Sequence, residues 1–414
     1  MNKAIYSAVS ECRICQSAQL ESVLDFGNLA LTGVFLESGS EVALAPMELG
    51  RCVECGLVQL LHNYELDELY GSSYGYESHL NGSMREHLNK KAHMLEKRFL
   101  KDLKSPVVVD IASNDGFLLQ GYEVKGTYIG IDPLLDNFSD YYPSAAIKIR
   151  DFFSSKSYFA SVKTKAHLVT SLSVLYDIND PVQFAREVHS ILEDEGIWHL
   201  EQSYLPLMVD TLSYDTICHE HLTYLRLQDI QEILTRTGFQ IIDISLNSVN
   251  GGSIAVTAIK TTDNVPQNPF MNHLIRNEET SGYTDGRAVH EFSAAAKRHR
   301  DELTQLLGEY QLNGFNIVGL GASTKGNVLL QWLGLTARDI RVIGDINPRK
   351  FGKECPGSGI VIASEQEIIE NANKQTIALV LPWHFREGII KNCGELLDKE
   401  AKLLFPLPRI EIVN

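Results

Sequence analysis

Four groups of residues in this 414-residue chain have types and spacings that could do chemistry. The first is two C-x-x-C pairs, Cys12 with Cys15 and Cys52 with Cys55, separated by 36 residues. Four thiolates at ~2.3 Å around one ion make a closed tetrahedral site with no position left for a substrate. Each pair falls on a tight turn in a segment too small to build much core, so a metal there would supply folding free energy. Two unrelated pairs of buried thiols are the competing reading. A redox C-x-x-C would need only one pair, beside a βαβ pattern. We expect a structural zinc.

The second group is PVVVDIASNDGFLL at 106–119, a strand, a small polar turn and the start of a helix. That order aims backbone N–H groups at a ligand beside the carboxyl end of the strand. G-x-G-x-x-G is absent, and with it the nicotinamide fingerprint. The next strand, YIGIDP, ends in Asp132. An acid there can accept hydrogen bonds from both ribose hydroxyls of an adenosine, as in folds that bind S-adenosylmethionine (SAM) or dinucleotides; otherwise it only closes a turn before Pro133.

The third group is Cys218-His219-Glu220-His221. Consecutive residues point different ways on a helix or strand, so they cannot share one ligand. The histidines also lack the i, i+4 spacing of a zinc-protease helix. With an ordinary pKa of ~6.5, a histidine here could act as a general base, or be a hydrogen-bonded core residue. The fourth group is GLGASTKG at 319–326, a glycine turn between strand and helix that resembles a phosphate cradle, with Lys325 as a candidate phosphate partner. Its residue order is not that of a P-loop. Asp345 or Asn347 ends the next strand, and His384 lies at the end of another.

Elements of alternating strand and helix must position these groups. PVVVDIA, GTYIGID, HLVTSLS and GIWHLEQSY read as strands, and VQFAREVHSIL as a helix with Phe184, Val188, Ile191 and Leu192 at helical spacing. Residues 71 to about 100 read as helical, and 261–286 as a polar connection. A long helix over about 287–312 carries Val289, Phe292, Ala296, Leu303, Leu307 and Tyr310 on one stripe, and a second alternation follows: FNIVGLG, NVLLQWL, IRVIGDI, TIALVLP, REGIIKNCGELL. We expect an α/β protein with a zinc-binding module over 1–70, a Rossmann-like domain over 71–285 and a second Rossmann-like domain over 286–414.

The net charge of −16 disfavours nucleic acid and anionic membranes as partners. No run of ~18 apolar residues occurs, and the first residues have no signal-peptide pattern. Seven cysteines, an odd number, fit the reducing cytoplasm.

The motifs follow one another in a recognisable series: the paired cysteines, SYGYESHLNGSMREH, DIASNDGFLL, GIDP, DFF at 151–153, HEHLTYL, NGGSIAV, GLGASTKGN and GDINPRKFGKECPG. The series resembles the nucleotide-sugar C-methyltransferases, the family of the tetronitrose C-3 methyltransferase and the mycarose and noviose enzymes, over nearly the whole chain. The resemblance implies that the domain over 71–285 is a class I SAM methyltransferase, and that it C-methylates a nucleotide-linked 4-keto-deoxysugar at carbon 3 through an enolate formed by a histidine base. It places Asp110, Asn114, Asp115, Asp132 and Asp151 around SAM, Asp151 toward the adenine, with Ala112 and Pro133 in the same turns. It makes His221 the base, with Glu220 and Tyr76 as positioning partners. Tyr74, His219, Ser323, Thr324, Lys325, Asn347 and His384 are expected to face the nucleotide sugar.

The chain departs from the family at four positions. Asp110 and Ala112 stand where the family carries an acid and a glycine in E-x-G-S-N-D-G. Cys218 replaces a tyrosine, and Tyr176 replaces a histidine. We expect Tyr176 to restore the missing phenol from the opposite side. Methylation of an oxygen or of another small carbon acid is the alternative activity. A zinc-ribbon adaptor for nucleic acid is disfavoured by the charge. A monomer or small homo-oligomer is expected.

Overall fold

The computed structural model describes residues 5–40, 42–70, 74, 76–261 and 268–414. Ser73 and Gly75 of the tyrosine-rich motif, the start of the helix expected from 71, and residues 262–267 of the polar connection lie outside the described residues.

The N-terminal module is an antiparallel meander of β1 (Leu20–Ala30), β2 (Leu44–Cys52) and β3 (Val58–Leu60). Its fourth strand, Thr223–Tyr224, arrives from far along the chain and sets Thr223 opposite Gln59 and Tyr224 opposite Val58. The residues just after His221 are therefore part of the module's sheet. Helix α1 (Gly82–Leu95) begins where the Asn81 carboxamide accepts the amides of Ser83 and Met84, and it buries Met84, Leu88, Ala92 and Leu95. The helix expected from 71 thus starts at 82. The described residues before it, 76–80, are bonded instead to the cofactor loop.

The middle of the chain is a seven-stranded sheet: β4 (Val107–Ile111), β5 (Thr127–Ile131), β6 (Ile147–Ile149), β7 (Ala166–Leu172), β8 (Leu192–Ser203), β9 (Phe239–Asn247) and β10 (Ser253–Lys260). The strand order is β9-β10-β8-β7-β4-β5-β6, and only β10 opposes both its neighbours. All five residues of β4 are buried, as a central parallel strand covered on both faces requires. Helix α2 (Pro181–Ile191), started by the Asp180 cap and Pro181, joins β7 to β8, and α3 (Leu227–Arg236) lies between β8 and β9. The chain winds outward from β4 to β6, then crosses back to β7, so the switch point lies between β4 and β7. Ligands of such sheets bind in the crevice outside the carboxyl ends there.

Helix α4 (Arg287–Leu312) buries the expected stripe except Tyr310, which is half-buried, and packs between the two ends of the protein: Ser293 Oγ donates to the Val23 carbonyl of β1 at 2.8 Å. After it come β11 (Asn316–Leu320), α5 (Thr324–Trp332), β12 (Ile343–Asp345), β13 (Ile362–Ser364), β14 (Thr376–Val380), β15 (Lys402–Phe405) and β16 (Glu411–Val413), in the order β13-β12-β11-β14-β15-β16. The expected helix REGIIKNCGELL breaks at Cys393 into two short pieces. The cores are shared across the modules. One joins the zinc module's sheet, residues 205–224, α4 and the C-terminal sheet. Another joins Cys12, Ile14, Cys52 and Leu57 to one face of the seven-stranded sheet. Among the described residues no helix is long and apolar enough to cross a membrane.

Candidate active site

The metal site comes first in the chain. Cys12 Sγ lies 3.5 Å from Cys55 Sγ, Cys15 Sγ lies 3.5 Å from Cys52 Sγ, and all four sulfurs fall within 4.8 Å of one another. Four thiolates around zinc have S···S edges of ~3.8 Å, so this donor set fits a closed zinc site. Each knuckle closes by a backbone bond, Gln16 N to Cys12 O and Gly56 N to Cys52 O, both 2.9 Å. Gly56 has φ 81°, and a Cβ there would lie 2.8 Å from Arg226 Nη1. Sequence reasoning missed Arg226. Buried to 2 % exposure, it donates to the Cys55 carbonyl at 2.7 Å and to both oxygens of Asp229 at 2.7 and 2.9 Å. This forked pair ties the second knuckle to α3.

The cofactor loop follows β4. Ala112 and Asn114 take positive φ, 54° and 48°, and turn the chain sharply between the strand and Gly116. Asp132, directly after β5, accepts the amides of Asn114 at 2.9 Å and Leu134 at 2.7 Å. Asp110 accepts the Thr170 hydroxyl at 2.6 Å. Burial, opposed by Thr170 and reinforced by the charges of Asp132 and Asp115, pushes Asp110 up to about 7. Burial likewise raises Asp132. A turn where Asp115 acts on both Asp110 and Asp132 suits a ligand bringing positive charge and hydroxyl donors, which SAM does with its sulfonium, ammonium and ribose. Pro133 is half-buried beside Asp132, and Asp151 is exposed two residues past β6, whose Ile149 carbonyl accepts the Asp132 amide. The two acids thus end neighbouring strands.

Asn114 and Asp115 have a second task. Asn114 Oδ1 accepts the Ser78 amide at 3.0 Å and its Nδ2 donates to the Tyr76 carbonyl at 3.1 Å. Asp115 Oδ2 accepts the His79 amide at 2.8 Å and pairs with its ring Nδ1 at 2.9 Å. The tyrosine-rich segment is therefore fastened to the cofactor loop. From the other side, Arg349 of the C-terminal domain pairs with Glu77 at 3.3 Å.

The H-E-H residues separate as their alternating directions require. His221 Nδ1 lies 2.8 Å from the Thr216 carbonyl oxygen. A carbonyl only accepts, so Nδ1 carries the proton and Nε2 keeps its lone pair. Burial and then the Lys325 ammonium push this imidazole down to about 3. Tyr176 packs its ring 4.2 Å from the His221 ring. Glu220 is buried, and its Oε2 accepts the Thr32 hydroxyl at 3.1 Å while its Oε1 has no partner. A Cβ on Gly33 would lie 2.2 Å from that Oε1, so only the absence of a side chain at Gly33 lets the carboxyl press against the main chain there. Tyr74 belongs to the same cluster: it bridges to Val34, next to Gly33, and its ring lies 5.4 Å from that of Tyr70, whose hydroxyl binds Asp177; burial, then the charges of Glu220 and Asp177, raise it well above the usual range. Tyr76 stands at the outer side of the cluster, 44 % exposed.

His219 departs from its expected role facing the sugar. It is 0 % exposed, edge-on to Tyr64 at 4.8 Å, with Nε2 3.4 Å from the Ala45 carbonyl, and so it packs into the zinc module. Cys218 is also fully buried, in the core that joins the zinc module to the C-terminal domain. Asp177 was not anticipated: its Oδ2 accepts the Tyr70 hydroxyl at 3.2 Å, and its Oδ1 has no partner. Its place beside Tyr176 was the available signal.

The C-terminal loop repeats the cofactor loop's acid device: Asp345 accepts the amides of Ala322 at 2.8 Å and Asn347 at 2.7 Å. Its glycines, however, are crowded by protein in the direction a side chain would take. A Cβ on Gly319 would meet Ile343 at 2.6 Å, on Gly321 Pro382 at 2.5 Å, and on Gly326 Leu381 at 2.9 Å. The close approach they permit is to protein. Ser323 Oγ caps α5 through the Gly326 amide at 3.0 Å, and Asn347 Oδ1 accepts the Arg349 amide at 3.0 Å, so both close their own turns. Thr324 faces Gly33, and Lys325 crosses to the catalytic domain, where its Nζ donates to the Asn250 carbonyl at 2.6 Å. His384 is pushed well below the usual range by burial and by Lys325, and its Nδ1 has no partner.

Three family models match in succession: a zinc binding domain over 12–70, a methyltransferase domain over 84–244 and a C-methyltransferase C-terminal domain over 248–408. The C-methyltransferase NovU of Streptomyces niveus is 28 % identical over 418 residues, covering 99 % of this chain and 98 % of that protein. Two solved structures overlap part of the chain. One is the Haloferax volcanii complex of the Trm112 activator with a methyltransferase, at 13 % identity and TM-score 0.36 over 45 % of this chain and 95 % of that one. The other is magnesium protoporphyrin IX methyltransferase from Synechocystis, at 15 % identity and TM-score 0.32 over 44 % and 88 %.

Proposed function

We propose that this chain, a SAM-dependent C-methyltransferase with a four-cysteine zinc-binding module, methylates a nucleotide-linked 4-keto-deoxysugar at carbon 3. The observation that carries this reading is the His221 tautomer: the Thr216 carbonyl holds the Nδ1 proton and leaves Nε2 as a proton acceptor on a ring packed against Tyr176. The hydrogen on a carbon beside a ketone is acidified, and a neutral imidazole can remove it. SAM, held by the loop of Asp110, Ala112, Asn114 and Asp115 and by Asp132, Pro133 and Asp151, supplies the electrophilic methyl group.

The other residues position and shield. Tyr176 braces the imidazole face and offers the phenol that Cys218 does not. The unpartnered Glu220 Oε1 accepts a sugar hydroxyl, steadied through Oε2 by Thr32. Tyr74 and Tyr76 close over the sugar, and closure excludes water from the carbanion. Thr324, Lys325 and His384 meet the substrate from the C-terminal side. Ser323 and Asn347 hold the turns that present them, a positioning task in place of direct contact.

Incubation with SAM and a panel of TDP-, GDP- and CDP-4-keto-deoxysugars tests the reading. One panel member should gain a single CH2 by mass spectrometry, at carbon by NMR. Methylation of a hydroxyl oxygen instead would sink the carbanion reading and leave the methyltransferase standing.

A further inference from the structure

We propose that Lys325 is the electrophile of the reaction: its ammonium, delivered by the C-terminal domain to the edge of the His221 pocket, takes up the charge on the substrate oxygen that becomes an enolate. This rests on the keto-sugar reading above and assigns the lysine to the reacting oxygen, not to the diphosphate.

The geometry of the loop carries the inference. A side chain at Gly319, Gly321 or Gly326 would run into Ile343, Pro382 or Leu381, so these glycines serve the close packing of the loop on protein. From this packed loop the first helical side chains reach outward, Thr324 to Gly33 of the zinc module and Lys325 to Asn250 of the catalytic domain. Lys325 Nζ reaches the Asn250 carbonyl at 2.6 Å, in the turn between β9 and β10 beside the end of β8. That bond uses one of three ammonium donors. Thr324 lies against Gly33, which in turn borders Glu220. Asn327, one turn further along α5, donates to the Thr32 carbonyl at 2.7 Å, and Thr32 is the donor to Glu220. The start of α5 is thereby fastened to the residues that flank the base.

The electrostatics agree. Asp215 and Cys218 act on Lys325, and Lys325 acts on His221 and His384, so these groups share one poorly screened region. Before the proton moves, the pair carries one positive charge. His221 Nε2 then takes the α-proton, the C–H electron pair forms C=C, and the carbonyl π pair moves onto oxygen. One negative charge now lies between two positive ones. The ammonium that disfavours imidazolium in the empty site favours the enolate once it forms, which is stabilisation realised only as the reaction proceeds.

Deuterium incorporation at carbon 3 of TDP-4-keto-6-deoxyglucose in D2O, without SAM, tests this in the full-length protein. Lys325→Met should slow exchange at least about 100-fold, the cost of losing an oxyanion donor, with SAM binding by calorimetry and sugar affinity near wild type. Wild-type exchange with weakened sugar affinity would move the lysine to the diphosphate and overturn the proposal. Lys325→Arg decides the matter if the Met variant binds no SAM. Arginine holds phosphate at least as well but places its charge differently, so lost exchange with retained affinity supports the proposal and full retention of both overturns it. If the wild type exchanges no member of the 4-keto-sugar panel, the reading of the substrate fails first, and the electrophile with it.

Discussion

His221 gives its Nδ1 proton to the main-chain carbonyl of Thr216, five residues earlier, across 2.8 Å. The bond orients the base and by itself favours the protonated ring, but burial and the Lys325 charge outweigh it. His221→Ala should therefore abolish carbon methylation, by about 100- to 10,000-fold, the range for losing a general base, while SAM binding persists. Loss of SAM binding in that variant would mark His221 as structural.

The same site makes a statement about pH. Burial and Lys325 push His221 down to about 3, and Tyr176 and the Thr216 carbonyl are its other close neighbours. A lowered pKa keeps the imidazole neutral as pH falls, so the acid limb of kcat/KM should lie well below pH ~6.5. Removing the positive charge in Lys325→Met lets imidazolium form more readily and should move that limb to higher pH. A limb that stays in place would separate the two residues.

Tyr176 stands 4.2 Å from the His221 ring where the resembling enzymes carry a histidine. If its hydroxyl contributes, Tyr176→Phe keeps the ring and lowers kcat by about tenfold, one charge-assisted hydrogen bond of about 1.5 kcal/mol. Unchanged turnover would leave the ring as packing alone.

Stability at low pH should depend on Glu201, at the end of β8. His87 Nε2 at 2.5 Å, Lys91 Nζ at 2.7 Å and Asn247 Nδ2 at 3.0 Å surround it, fixing α1 to the sheet. Burial works to raise the carboxyl, but His87 and Lys91 outweigh it and hold it at about 2, against an ordinary 4.5. A lowered carboxyl contributes stability above pH 4.5 that disappears as pH falls toward 2. Lys91→Met should cost about 3 kcal/mol near neutrality and shift acid unfolding to higher pH. Circular dichroism against pH would refute this by showing an unmoved midpoint.

Zinc removal should reach the chemistry. Sequence alone puts the four-cysteine site apart from catalysis, but β3 pairs with Thr223–Tyr224, Arg226 holds the Cys55 carbonyl, and Thr32 holds Glu220. Stripping the metal, or Cys52→Ser, should lower both thermal stability and turnover, with metal content near one zinc per chain in the active form. A zinc-free chain of full activity would show that the module folds without its metal.

Much of this was legible from residue types. Buried β-branched runs such as VVVDI became central strands because only a doubly covered strand tolerates them. Two matched C-x-x-C pairs converged because their knuckles leave thiolates few alternatives. The edge hairpin β9–β10 escaped notice, though Asn250-Gly251-Gly252, all at positive φ, is the turn signal that marks it. His219 was not separable from His221, because the selection is made by Tyr64 and Ala45, more than a hundred residues earlier. The glycines of GLGASTKG showed that something approaches closely. Only the fold reveals that it is Ile343, Pro382 and Leu381.

The central claim is that His221 generates a carbanion beside a ketone. The most direct measurement is proton NMR of a TDP-4-keto-deoxysugar in D2O with wild-type protein and no SAM. Carbanion chemistry requires deuterium to enter carbon 3 at a rate that His221→Ala abolishes. A substrate that is methylated when SAM is added, yet shows no SAM-independent exchange or exchanges equally well with His221→Ala, would contradict it.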